Sequence, residues 1–280
     1  MGIRIVFDST SDITKEIIEK YNLVMVPLIV NFEDTSYLDK VELTTDEFFD
    51  KLGRSEKLPT TSQASPAAFY EVFTKILEEG DEVLGIFIGS EFSGTYSSAQ
   101  IAKETIGDDR IHIIDSRSAC LGTFSLIMKA IQLVEEKRDI KEIVDILERA
   151  KDKIEVIAAI DTLKYLVKGG RLTKTQAIAG SLLNIKPIIT IKDSKISVVD
   201  KVRGNNNVQK WIDNWIQSNG FDLSNKTVFL FHARAKGRLD ALREVLVNKY
   251  NVKDIIESEV GAVIGTHTGP GVIAIGFLND

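Results

Sequence analysis

Four stretches of this chain carry the residue types that could do chemistry. Ser93-Gly94-Thr95 follows the apolar run Val83–Gly89 and opens the helical pattern through Thr105. Free backbone N–H groups and two hydroxyls would meet there, which suits a phosphate or a carboxylate. Thr60-Thr61-Ser62-Gln63 is a second hydroxyl-rich loop, and Asp8-Ser9-Thr10-Ser11-Asp12 is a third polar cluster. The fourth is Gly265-Thr266-His267-Thr268-Gly269-Pro270-Gly271, read as a loop. There a histidine could donate to a carboxylate and titrate near neutrality. Each has a plainer reading. Ser and Thr at a helix start satisfy the backbone as caps, hydroxyl loops are often only solvated, and a histidine in a turn can be incidental. The residues alone leave both readings open.

Familiar catalytic patterns fit poorly. Gly89 and Gly94 match the glycine spacing of a P-loop, but Thr95 stands where that motif needs lysine. Ser93 lacks the first glycine of G-x-S-x-G. A Ser93–His267–Asp8 nucleophile set rests on residue types alone. No G-x-G-x-x-G, H-E-x-x-H or EF-hand pattern occurs. The single Cys120 excludes an internal disulfide and a multi-cysteine metal site.

The elements that must position these residues follow from apolar runs and their punctuation. Ile3–Phe7, Val83–Gly89 and Arg110–Asp115 read as buried strands, and Thr14–Asn22, Ala67–Glu79, Ala119–Lys137 and Ile140–Lys153 as helices. Their alternation predicts a mainly parallel sheet flanked by helices over residues 1–154. Met25–Phe32 and Tyr37–Leu43 suggest a hairpin set aside from it, at about residues 25–44. Residues 155–280 mix hairpin-like pairs with helices, which predicts an α+β domain with a mixed sheet. Its strands are Val156–Ile160, Ile188–Ile191, Lys195–Val202, Thr227–His232, Asp254–Val260 and Val272–Leu278. Its helices are Thr162–Lys168 capped by Asp161, Thr173–Leu183, Val208–Ser218 and Lys236–Tyr250.

Composition narrows the classes. Hydrophobic residues make up 44% of the 280 and charged residues 27%, as in an ordinary globular protein. The net charge of −6 argues against a general nucleic-acid binder. The longest apolar run, Leu23–Val30, is too short to span a bilayer, and the N-terminus enters a strand at once, so a cytoplasmic location is expected.

The polar motifs along the chain are Asp8-Ser9-x-Ser11-Asp12, Thr61-Ser62-Gln63-x-Ser65-Pro66, Ser93-Gly94-Thr95-Tyr96 and Asp115-Ser116. Further on come Thr162-Leu163-x-Tyr165-Leu166-x-x-Gly169-Gly170-Arg171, Asn184-Ile185-Lys186-Pro187 and His267-Thr268-Gly269-Pro270-Gly271. Taken together, in this order and spacing, they resemble the DegV family, the fatty-acid-binding subunits of bacterial fatty acid kinase. Ala64 departs from the proline often found before Ser65. The resemblance implies a long-chain fatty acid enclosed between two α/β domains. Its carboxylate would lie at Thr61, Ser93 and His267, with Ser62 and the Gly94 or Thr95 N–H beside them. It also implies a carrier without catalytic residues or cofactor, which presents its lipid to a separate ATP-dependent kinase. Arg171 and Arg203 follow chain breaks and are candidates for docking that kinase. A serine-type esterase using Ser93 and a binder of another small anion are the alternatives.

Overall fold

A computed structural model describes residues 2–173, 175 and 184–279. The expected helix at Thr173–Leu183 lies almost wholly outside the described residues. Thirteen strands are described: β1 (Ile3–Asp8), β2 (Val24–Val26), β3 (Ile29–Phe32), β4 (Thr35–Leu38), β5 (Thr60–Ser62), β6 (Glu82–Phe87), β7 (Ile111–Asp115), β8 (Ile154–Ala159), β9 (Ile185–Lys192), β10 (Lys195–Arg203), β11 (Thr227–His232), β12 (Asp254–Glu259) and β13 (Ile273–Leu278). They form an α/β architecture of three sheets.

The first sheet is parallel throughout, in the order β2-β1-β6-β7. Its strands are apolar on both faces because helices cover both. The largest sheet is mixed, in the order β10-β9-β8-β13-β11-β12, with β11 and β12 its parallel pair. Ile188–Ile191 and Lys195–Val202 do pair antiparallel, with a register shift between Val198 and Asp200.

Between these sheets lies the helix Leu121–Glu135, which touches β1 and β6 on one side and β8, β11 and β13 on the other. It is therefore buried nearly all round rather than along one stripe. Phe124 meets the rings of Phe229 and Phe231 at centroid distances of 5.3 and 5.8 Å. One apolar core thus runs from the parallel sheet, through this helix, onto one face of the mixed sheet. A second core fills the opposite face, under the helices Asn205–Ser218 and Lys236–Tyr250. Each fully buried Phe or Leu contributes about 1.5–3 kcal/mol of transfer free energy.

Several sequence expectations need correction. The excursion after the first helix is not one hairpin over Met25–Leu43. Val24–Val26 joins the parallel sheet, and the hairpin is β3 with β4. Pro27 divides them because it has no N–H for a ladder; the Leu28 N–H then donates to the Ser9 hydroxyl at 3.1 Å. Thr60–Ser62, read as a loop, adds to the hairpin as the third strand of the order β4-β3-β5. Asp161 does not cap the following helix, which begins at Lys164; it pairs with Lys186 and Arg238.

The largest correction concerns the histidine segment. Ala262–Thr268 is a helix, so His267 sits in its last turn. Gly265 lets this helix approach the helix Thr45–Arg54 closely. A Cβ there would stand 2.7 Å from Phe48 Cε1 and 3.0 Å from Phe49 Cζ. Gly269, at φ +72°, ends the helix.

Candidate functional site

The small sheet, the parallel sheet, the central helix and the mixed sheet meet around a cavity of about 350 Å³, within the range of small-molecule sites. Its walls are apolar. Val156 and Ala158 on β8, Ile189 and Ile191 on β9, and Ala274 on β13 face it, with Leu28, Phe92 and Val263. The pairs on β8 and β9 lie two apart because alternate strand residues share a face. These wall residues were not legible as a site. The strands are apolar on both faces, so nothing in the sequence separates cavity-facing from core-facing positions.

Polar groups gather at one side of the cavity. Thr61, at the middle of β5, places its Oγ1 2.9 Å from His267 Nε2. The expectation that His267 titrates near neutrality is overturned. Burial, then the nearby Arg171 charge, pushes its pKa down to about 4, so the ring is neutral at pH 7. His267 Nδ1 is buried without a partner, and the ring lies against Gly169, where a Cβ would be 2.2 Å from Nδ1. An orphaned lone pair is less costly than an orphaned N–H. The proton therefore belongs on Nε2, which donates to Thr61 Oγ1. That leaves the Thr61 hydroxyl hydrogen free for a ligand.

Ser93 is arranged in a similar way from the other side. Its Oγ accepts the Thr95 N–H at 3.3 Å and lies 2.9 Å from Thr95 Oγ1. Thr95 is fully buried and is not among the described cavity-lining residues. It orients Ser93 instead of meeting a ligand directly, a departure from the expected role. The Gly94 N–H makes no hydrogen bond to another described residue and opens the helix Thr95–Ile106. Ser62 lines the cavity and accepts from Asn31 Nδ2 at 3.1 Å.

Arg171 also lines the cavity. Its Nε and Nη2 donate to the Phe92 carbonyl at 3.1 and 2.9 Å, and Nη1 donates to the Gly169 carbonyl at 2.6 Å. Its guanidinium ties the Gly169-Gly170 turn to the segment that presents Ser93. Arg203 is exposed at the end of β10 and is not among the described lining residues.

The nucleophile set does not assemble. His267 is bonded to Thr61, and Ser93 to Thr95. Asp8 is buried, accepts the Ile88 N–H at 2.7 Å and is also bonded to Thr10. The polar cluster at Asp8–Asp12 is therefore structural, as a cap and strand-end lock. Asp12 pairs with Lys40 at 2.9 Å and accepts the Cys120 thiol at 3.3 Å. Burial, with Asp12 beside it, pushes the Cys120 pKa well up, so the thiol stays protonated.

Fold and site together define an α/β ligand-binding protein with an apolar interior cavity and a cluster of uncharged hydrogen-bond donors beside one cation. The profile of the DegV family, described as uncharacterised, matches residues 2–280, and the chain belongs to that family. A DegV domain-containing protein of Caldanaerobacter subterraneus subsp. tengcongensis is 40% identical over 275 residues, 98% of either chain. Among solved structures, a DegV family protein of Thermus thermophilus, described as binding fatty acid, superposes with a TM-score of 0.92. The two are 32% identical, over 99% of both chains. The DegV fatty acid binding protein of Bacillus subtilis gives 0.87 at 30% identity over the full length of both. A stearic acid-binding protein of Eubacterium ventriosum gives 0.90 at 28% identity, over 99% of this chain and 98% of that one.

Proposed function

We propose that this protein holds a long-chain fatty acid in the cavity and presents its carboxylate to a separate ATP-dependent kinase, which converts it to an acyl phosphate. The observation that carries the binding step is the pairing of apolar walls with the hydroxyl residues Thr61 and Ser93 in the lining of one cavity. A carboxylate leaving water needs charge-assisted donors, worth about 1.5–3 kcal/mol each. Thr61, Ser93 and the Gly94 N–H supply them, and Arg171 supplies the compensating charge. Each buried methylene adds about 0.8 kcal/mol. A long chain therefore brings on the order of 10 kcal/mol before association costs. Relatives described as fatty acid binding support the same reading.

The kinase step rests on the family resemblance. Arg203 is exposed at a strand end and suits docking, whereas Arg171 is committed to the cavity wall. Replacing Arg203 by Ala should slow phosphorylation of bound lipid and leave lipid affinity unchanged; loss of both would remove the docking role. A two-domain division near residue 154 and a cytoplasmic location belong to the same proposal. Among the described residues no helix is long and apolar enough to cross a membrane.

The test of the binding step is mass spectrometry of organic extracts from the purified protein, beside Thr61→Ala/Ser93→Ala. A stoichiometric long-chain acid in the first and its loss from the second is the expected result. A different ligand retained equally by both would refute the carboxylate site.

A further inference from the structure

Thr61 and Ser93 stand on elements far apart in the chain. β5 carries Thr61, and the start of the helix Thr95–Ile106 follows Ser93. A carboxylate shared between two hydroxyls demands a fixed gap. One side chain spans it. Gln63 Nε2 donates to Ser98 Oγ at 2.8 Å, and Ser98 is fully buried in the first turn of that helix. The amide packs against Gly94, its oxygen nearest. A Cβ at Gly94 would stand 1.9 Å from Gln63 Oε1, 2.7 Å from Cδ and 2.9 Å from Nε2. Glycine at this position leaves the amide its place, since the φ of −69° demands no special residue.

Location adds a second line of reasoning. Among the described residues lining the cavity, Ser62 and Gln63 alone are exposed. Gln63 therefore stands between the cavity and solvent, at the end where the donors gather. There it bridges strand to helix.

We propose that Gln63 is a positioning residue and a strap: its bond to Ser98 sets the Thr61–Ser93 gap and bars the head-group end of the cavity. The inference rests on the reading of Thr61 and Ser93 as carboxylate donors. Holding the bond keeps both hydroxyls on one ligand carboxylate. Releasing it widens the gap and opens a path for exchange, so both association and dissociation become faster.

The experiment is stopped-flow binding and release of the fluorescent fatty acid cis-parinaric acid, with melting temperature measured on the same samples. Gln63→Met keeps the bulk and removes the hydrogen bond, Gln63→Ala removes both, and Ser98→Ala removes the acceptor from inside the helix. Dissociation should quicken about tenfold in Gln63→Met, the upper range for one net hydrogen bond. Association should also quicken, the melting temperature should stay within a degree or two, and Ser98→Ala should add nothing to Gln63→Met. A structural role alone would lower the melting temperature and leave the association rate unmoved, and that result overturns the strap. Unchanged rates in Gln63→Ala overturn it as well. Thr61→Ala/Ser93→Ala separates the two failures. If that variant loses the probe while Gln63→Met behaves as wild type, the strap fails and the carboxylate site stands. If it binds as wild type, the carboxylate reading itself fails.

Discussion

Replacing Asp39 by Asn should stabilise this protein at alkaline pH and flatten its pH dependence. Asp39 is 1% exposed, at the end of the hairpin that carries β3 and β4. The Ser9 hydroxyl and the Ala262 N–H act on it, yet neither carboxylate oxygen receives a hydrogen bond of good geometry. Lys40 is the cation beside it, but its Nζ is paired with Asp12 at 2.9 Å. Burial accordingly pushes the Asp39 pKa from 3.8 up to about 7, with the Asp12 charge adding to the rise and Lys40 opposing it. The sign follows from linkage. A carboxyl whose folded pKa is raised binds more protons in the folded state than in the unfolded one. Stability is therefore full below the unfolded pKa and is lost as pH rises through the folded value. About three pKa units at 1.36 kcal/mol each give a ceiling of about 4 kcal/mol between pH 4 and pH 7. Asn has the same shape and no charge, so it escapes that loss. Urea titrations of wild type and Asp39→Asn from pH 4 to pH 8 would measure it. The stability difference should start near zero, grow through the window in favour of the variant, and level off above pH 7. A variant that is less stable than wild type at pH 8, or a difference that does not change with pH, refutes the reasoning.

Other outcomes follow from the same geometry. His267 has a folded pKa of about 4, below its ordinary value, so its contribution to stability is full above pH 6.5 and falls as pH drops toward 4; an NMR titration placing its pKa above 6 would contradict the neutral ring. Thr61→Val keeps the shape of the side chain and removes the hydroxyl, and should weaken fatty acid binding about tenfold or more by calorimetry, from one charge-assisted bond. Gly94→Ala should cost less than about 1 kcal/mol in stability, because the flexible Gln63 tip can move away; ligand association and dissociation rates equal to wild type would show that the Gln63 position is immaterial. Gly265→Ala drives a methyl into Phe48 and Phe49 and should destabilise by about 1–3 kcal/mol in denaturant titrations.

Much of the fold was legible because its strands are uninterrupted apolar runs between clear breaks. Ile3–Asp8, Glu82–Phe87 and Ile111–Asp115 could hardly be anything else in an alternating chain. The Ala262–Thr268 helix was not legible. Its sequence, AVIGTHT, is rich in β-branched residues and carries a mid-helix glycine, all weak helix formers. Packing against Phe48 and Phe49 decides it, and that contact joins residues more than 200 positions apart. β5 was missed because three residues give no period; only its pairing with β3 makes it a strand. At the site, the hydroxyl clusters and His267 stand out by type. Their states do not. The neutral ring depends on burial and Arg171, and the hold on the Ser93 hydroxyl depends on Thr95. Gln63 sat in full view within a hydroxyl loop, but its task emerges only when Gly94 and Ser98 are brought to it.

The cavity lies inside the same apolar core that joins the two large sheets. In a dry core, about 24 cal/mol is lost for each Å³ left unfilled; this cavity is polar at one end, so its 350 Å³ sets a ceiling of about 8 kcal/mol. That is comparable to the whole stability of a typical domain. An occupant of this cavity acts as a missing piece of the core as well as a cargo, and by mass action it raises stability with its own concentration. On the proposed fatty-acid reading, the resistance of the chain to heat and to proteases should then rise and fall with lipid supply.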